Sequence, residues 1–168
     1  MTGWGGNESG QISPCASNIV AIAASYQHSL YLLEDGTVAD CGMFFDGTAT
    51  PITVPPGLSN VVAISAGMSH SLALKADRTV VAWGLNTYGQ TDIPPGLTNV
   101  AAIATGARHS LALKTDGTLV GWGPGGTNIP GGISNVVAIS AGPAGNNLAL
   151  KADGTVVSWG FRRDQTAA

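Results

Sequence analysis

The chain has 168 residues, of which 10% are charged, and carries a net charge of −3. So sparse and slightly acidic a surface excludes the basic face that nucleic acids and other polyphosphates require. No long apolar run and no basic-then-apolar start occur, so neither a membrane span nor a signal peptide is expected, and the compartment stays open.

Met1 to Pro14 reads as the exit from a repeat whose beginning is missing. Trp4-Gly5-Gly6-Asn7-Glu8-Ser9-Gly10-Gln11 matches Trp83-Gly84-Leu85-Asn86-Thr87-Tyr88-Gly89-Gln90. Unit one follows, over residues 18–42, and is the most divergent, with Cys41 where other copies have tryptophan and Met43-Phe44-Phe45 behind it. Its two cysteines, Cys15 and Cys41, are all the chain has, and whether they form a disulfide is not fixed by their spacing. Unit two covers residues 60–84 and is the template: Asn-Val-Val-Ala-Ile-Ser-Ala-Gly-Met-Ser-His-Ser-Leu-Ala-Leu-Lys-Ala-Asp-Arg-Thr-Val-Val-Ala-Trp-Gly. Unit three, residues 99–123, ends in a shortened exit, Pro124-Gly125-Gly126-Thr127. In unit four, residues 135–160, Pro143-Ala144-Gly145-Asn146-Asn147 replaces the histidine turn. A short tail, residues 161–168, keeps Asp164-Gln165-Thr166.

Three anchors hold this register together. The tryptophan slot recurs at Trp4, Cys41, Trp83, Trp122 and Trp159, in steps of 37 to 42 residues. Leu30, Leu72, Leu111 and Leu148 repeat with nearly the same steps, as do Asn18, Asn60, Asn99 and Asn135. A fixed period near 40 residues marks a solenoid or propeller. Each unit reads as three β-branched strands of about five residues, too short for helices. Asp35-Gly36, Asp116-Gly117 and Asp153-Gly154 join the second and third strands as two-residue hairpin turns, with glycine supplying positive φ. Unit two has Asp77-Arg78 there, and an arginine held left-handed costs roughly 1 kcal/mol. Pro-Gly turns separate the units. The expected fold is an all-β propeller, one domain over residues 1–168, with four blades. The segment around Gln90 is expected to supply a fourth strand to the blade. Four blades make a tight ring, an open arc, or half of an eight-bladed ring closed by homodimerisation, and the last covers both bare ends at once.

Ala-Gly-x-x-His-Ser-Leu-Ala-Leu followed by Asp-Gly-Thr-Val-x-x-Trp-Gly resembles the repeat of the regulator of chromosome condensation family. The Trp-Gly-x-Asn-x-x-Gly-Gln exit is most similar to its compact bacterial branch, which includes β-lactamase inhibitor protein II. The resemblance implies a β-propeller with a binding face and no active site.

Chemistry-bearing residues fit structural roles. His28, His70 and His109 occupy one slot in successive units, where propeller geometry spreads them around the axis instead of gathering them on a metal. An imidazole satisfying groups beside the serine turn is the simpler role, with Asn146 or Asn147 substituting in unit four. Asp35, Asp77, Asp116 and Asp153 sit in turns that favour aspartate locally. No nucleophile, base and orienter occur together, so no catalytic residue, metal or cofactor is expected.

Binding specificity then falls to loops carried on a rigid scaffold. Candidate contact residues are Tyr26, Gln27, Met68, Ser69 and Arg108 beside the histidine slot, with Tyr88, Phe44 and Phe45 from the exit loops. The expected function is a non-enzymatic protein-binding scaffold that uses one rim, with another protein as partner and possible self-association. The alternatives are an enzyme inhibitor resembling β-lactamase inhibitor protein II, and a structural or fragmentary propeller unit without a ligand.

Overall fold

The computed structural model describes residues 16–26, 28–42, 53–126 and 128–160. Among the described residues, twelve strands form four three-stranded antiparallel sheets, one per unit. Unit one holds β1 (Ile19–Ala24), β2 (His28–Leu33) and β3 (Val38–Gly42). Unit two holds β4 (Val61–Ala66), β5 (His70–Lys75) and β6 (Val80–Gly84). Unit three holds β7 (Val100–Thr105), β8 (Ser110–Lys114) and β9 (Leu119–Trp122). Unit four holds β10 (Val136–Ala141), β11 (Asn147–Lys151) and β12 (Val156–Trp159). The middle strand of each unit pairs with both others.

The valine doublet that opens units two and four divides its labour. In unit two the ladder shifts between Val61 and Ala63, leaving Val62 as a bulge. Val61 is therefore buried while Val62 is 54% exposed, and Val136 and Val137 repeat the arrangement. The opening asparagines owe their place to backbone geometry. Asn18, Asn60, Asn99 and Asn135 all have φ of 55–57°, the left-handed region that asparagine tolerates best among side-chain-bearing residues.

Two expectations are corrected. The hairpin between the second and third strands has a three-residue loop: Gly36 N–H donates to Leu33 C=O, and Leu33 N–H donates to Thr37 C=O. That is a type I turn closed by a left-handed residue, Gly36 at φ 77°. The extra residue is tolerated because the Asp35 carboxylate accepts from both Thr37 N–H and Thr37 Oγ1–H, holding the turn from inside. The segment around Gln90 is likewise no strand. Asn86 Oδ1 accepts from Thr91 N–H, Asn86 Nδ2 donates to Asp92 Oδ1, and Gln90 Oε1 accepts from Tyr88 N–H. The loop closes on its own side chains, which leaves its backbone unavailable to a ladder.

The core lies between units. Leu72 and Leu74 of β5 bury against Val100, Ala112 and Trp122 of unit three. Leu111 and Leu113 meet Val136, Ala149 and Trp159, and Leu30 and Leu32 meet Val61, Ala73 and Trp83. Ala73, Ala112 and Ala149 are fully buried, so their small size is what admits the leucines of the preceding unit. Burying each leucine contributes about 1.5–3 kcal/mol. Ile93 and Leu97, from the Pro-Gly connection, seal the same layer between units two and three. Among the described residues no packed interface joins unit four back to unit one.

Candidate functional site

Each middle strand runs from a histidine turn, or the asparagine turn that replaces it in unit four, to a hairpin turn at the other end, so the molecule has two rims. In units two to four the aspartates of the hairpin rim are paired with lysines. Lys75, Lys114 and Lys151 pair with Asp77, Asp116 and Asp153 at 3.1–3.2 Å. Threonine hydrogen bonds and the paired lysine hold Asp77 and Asp116 down to about 2. The aspartates are thus turn-formers, permanently ionised.

The histidines staple one unit to the next. His28 Nε2 lies 2.9 Å from Ser71 Oγ, His70 Nε2 lies 3.0 Å from Ser110 Oγ, and His109 Nε2 lies 2.7 Å from Asn147 Oδ1. Ser110 donates to Gln90 C=O, so it must accept from His70 Nε2–H. Asn147 Oδ1 can only accept, which gives His109 the same tautomer. Register places Asn147, not Asn146, in the serine slot, opposite Trp159 as Ser71 is opposite Trp83. Burial lowers His28 and His70 to about 4 and lowers His109 as well, so all three are neutral at physiological pH. Each imidazole is committed to the neighbouring unit. The histidine turn also explains the Trp-Gly pair, because a Cβ on Gly84 would lie 2.8 Å from both His70 Cα and Ser69 C=O.

Beyond those buried staples the histidine rim is open. Tyr26 is 78% exposed, Met68 41% and Tyr88 44%, and Arg108 is exposed beside them. The Arg108 guanidinium lies over the Tyr88 ring, 4.5 Å from its centroid, joining the exit loop of unit two to the tip of unit three. Arg108 makes no ion pair among the described residues, unlike the three lysines of the opposite rim. Ser69 is half-buried, and its carbonyl accepts from Leu85 N–H, so it supports the exit loop from beneath. Gln27, Phe44 and Phe45 lie outside the described residues, as does Cys15. Cys41 is disulfide-bonded.

A cavity of about 390 Å³ opens on this rim, lined among others by Met68, Arg108, Pro124, Gly125, Pro143 and Ala144. Sequence reasoning assigned Pro124–Gly126 to a shortened turn and passed over Pro143–Gly145 as a replaced one. The signal was that both departures fall at one junction, the exit of unit three beside the turn of unit four. Gly142 N–H donates to Asn146 C=O across a tip one residue longer than the Gly67–His70 turn. The longer tip and the shorter exit together create the space.

Residues 61–90 and 100–126 match the family model for the Regulator of chromosome condensation (RCC1) repeat. Units two and three are RCC1-like repeats. Solved structures share the architecture. Prp20p from Saccharomyces cerevisiae, described with its binding to Gsp1p and histones, is 26% identical, with TM-score 0.71 over 89% of this chain and 47% of its own. The same yeast protein, bound to Kap60, matches at 25% identity and TM-score 0.71, over 88% of this chain and 45% of its own. The ectodomain of the Physcomitrella patens receptor kinase CR4 is 23% identical, with TM-score 0.77 over 97% of this chain and 47% of its own. The chain therefore spans about half the length of these relatives. No curated protein matches it.

Proposed function

We propose that this chain is a non-enzymatic protein-binding scaffold that engages its partner through the histidine-turn rim. The observation that carries the reading is an open cavity lined by Met68 and by Arg108, which has no ion pair among the described residues and lies over the exposed Tyr88 ring. Aromatic residues, methionine and arginine are the side chains enriched at protein interfaces, and hot spots concentrate where such anchors border a pocket. The hairpin rim of units two to four instead presents lysines and aspartates paired with each other, the carboxylates also bound into turns. Relatives described as binding Gsp1p, histones and Kap60 support a protein as the partner class. The buried histidines serve the scaffold, holding adjacent tips at fixed spacing.

The test is comparative capture. Cross-linked partners of the wild-type chain are identified beside those of a Met68→Asp/Arg108→Glu variant and of a Lys114→Ala/Lys151→Ala variant. Partners lost only with the first variant support the rim. An unchanged partner set with both, the fold being intact by circular dichroism, removes the histidine rim as the binding surface.

A further inference from the structure

The serine slot of the middle strand holds Ser71 and Ser110 in units two and three but Asn147 in unit four, each opposite a tryptophan. A serine hydroxyl has one proton to give, whereas an amide has two N–H donors and a separate acceptor. Asn147 Oδ1 accepts from His109, and its Nδ2 donates to the carbonyls of Gly125, at 3.1 Å, and Gly145, at 3.2 Å. One buried side chain thus ties the short exit of unit three to the tip of unit four, and both segments line the cavity on the histidine-turn rim.

The cavity wall is apolar at Met68, Pro124, Pro143 and Ala144. His109 also lines it, but is neutral and gives its Nε2–H to Asn147. The Gly125 and Gly145 carbonyls, which would oppose an anion, are engaged by Asn147 Nδ2. Among the described lining residues Arg108 is the only cation. Its guanidinium lies over the Tyr88 ring, a contact that uses the face of the group. The N–H donors lie in the plane, at the edge, and form a fork that fits the two oxygens of a carboxylate. The exit loop that supplies Tyr88 also carries Asp92, but that carboxylate accepts from Asn86 Nδ2 and makes no ion pair with Arg108 among the described residues. Apolar walls lower the local dielectric and so strengthen any charge pair formed against them.

We propose that the cavity receives an acidic side chain of the partner protein together with an apolar neighbour, the carboxylate on the edge of Arg108 and the neighbour against Met68 and the two prolines. The inference rests on the reading of this rim as the protein-binding surface and names what that surface recognises. Charge complementarity selects the carboxylate. A polyphosphate would call for several cations, and a chain of net charge −3 offers a single one here. The volume of about 390 Å³ is more than a lone anion fills, and the apolar neighbour takes the remainder.

Random peptides displayed on phage are selected against the full chain, and those that also bind an Ala144→Trp variant are discarded. That substitution fills the cavity without changing any charge. Fluorescence anisotropy then measures the peptides that depend on the cavity. They should share an Asp or Glu beside an apolar residue, and replacing that acid by its amide should weaken binding at least tenfold. Arg108→Gln should cause a loss of the same size, and the two changes together should cost no more than either alone. Arg108→Glu, folded by circular dichroism, should prefer the peptide whose acid is replaced by lysine. Cavity-dependent peptides that lack an acid, or that bind equally well without it, would overturn the inference and leave the rim standing. Failure to find any peptide sensitive to Ala144→Trp would count against the rim and the acidic ligand together.

Discussion

His70 shows how a buried polar side chain can organise an interface between sheets. Its Nε2–H is spent on Ser110, and its Nδ1 has no partner, so a second proton there would be buried without an acceptor. This is why burial lowers its affinity for protons, with the charges of His109 and His28 adding to the effect. A base weakened by folding binds more protons when unfolded, so stability is full above 6.5 and falls as the pH drops towards 4. The loss should be on the order of 3 kcal/mol for each of His28 and His70, whose folded values lie at about 4 against 6.5. Urea midpoints measured across this window should decline steeply, and a His70→Gln variant should flatten the slope. Asp40 works in the opposite sense. Burial raises it to about 7, with the neighbouring Trp83 indole opposing only in part, and its Oδ2 has no partner. An acid strengthened against ionisation by folding costs stability as the pH rises from 3.8 through 7. Asp40→Asn should therefore stabilise the protein at pH 8 and lose that advantage below pH 4, checked by the same denaturation series.

At the scale of the strand and turn, position within the array decides what a side chain contributes. Leu72 is fully buried between units two and three, so Leu72→Ala should cost about 3 kcal/mol or more. Leu148 holds the same slot in unit four but is 44% exposed, and Leu148→Ala should cost less than about 1 kcal/mol. Equal losses in chemical denaturation would mean that the unit-four face is covered. Arg78 occupies the glycine slot of the hairpin at φ 66°, so Arg78→Gly should raise stability by about 1 kcal/mol despite removing a side chain. That penalty was legible from the repeat alone, because three units carry glycine there and the turn demands positive φ. The strands and the burial of Trp83, Trp122 and Trp159 were legible for the same reason: alternation and recurrence report which face is inside. Loop closure was not. Nothing in Asn86 to Asp92 announces that two side-chain amides will capture their own backbone and leave the blade with three strands. The cavity was equally hidden, since it arises from a long turn and a short exit meeting across a unit boundary.

Across the whole molecule, every unit is held by its neighbours through the same three devices: the leucine layer, the histidine staple, and a backbone bond at the hairpin rim. That bond runs from Val61 N–H to Gly36 C=O, from Val100 N–H to Arg78 C=O, and from Val136 N–H to Gly117 C=O. Stability in such an array approximates a sum of nearest-neighbour terms. Units two and three each have two described interfaces, whereas unit four has one and presents its leucines to solvent. Local opening should therefore be graded along the chain. Amide hydrogen exchange should be slowest in β5 and β8 and faster in β11, although all three are middle strands with both edges paired. β8 and β11 carry ladders of the same length on both edges, so the contrast between those two isolates side-chain packing. Uniform protection across β5, β8 and β11 would show that unit four is as well supported as the interior units, and would count against a bare leucine face. A gradient that Leu72→Ala extends into unit two would show that the leucine layer carries the coupling between sheets.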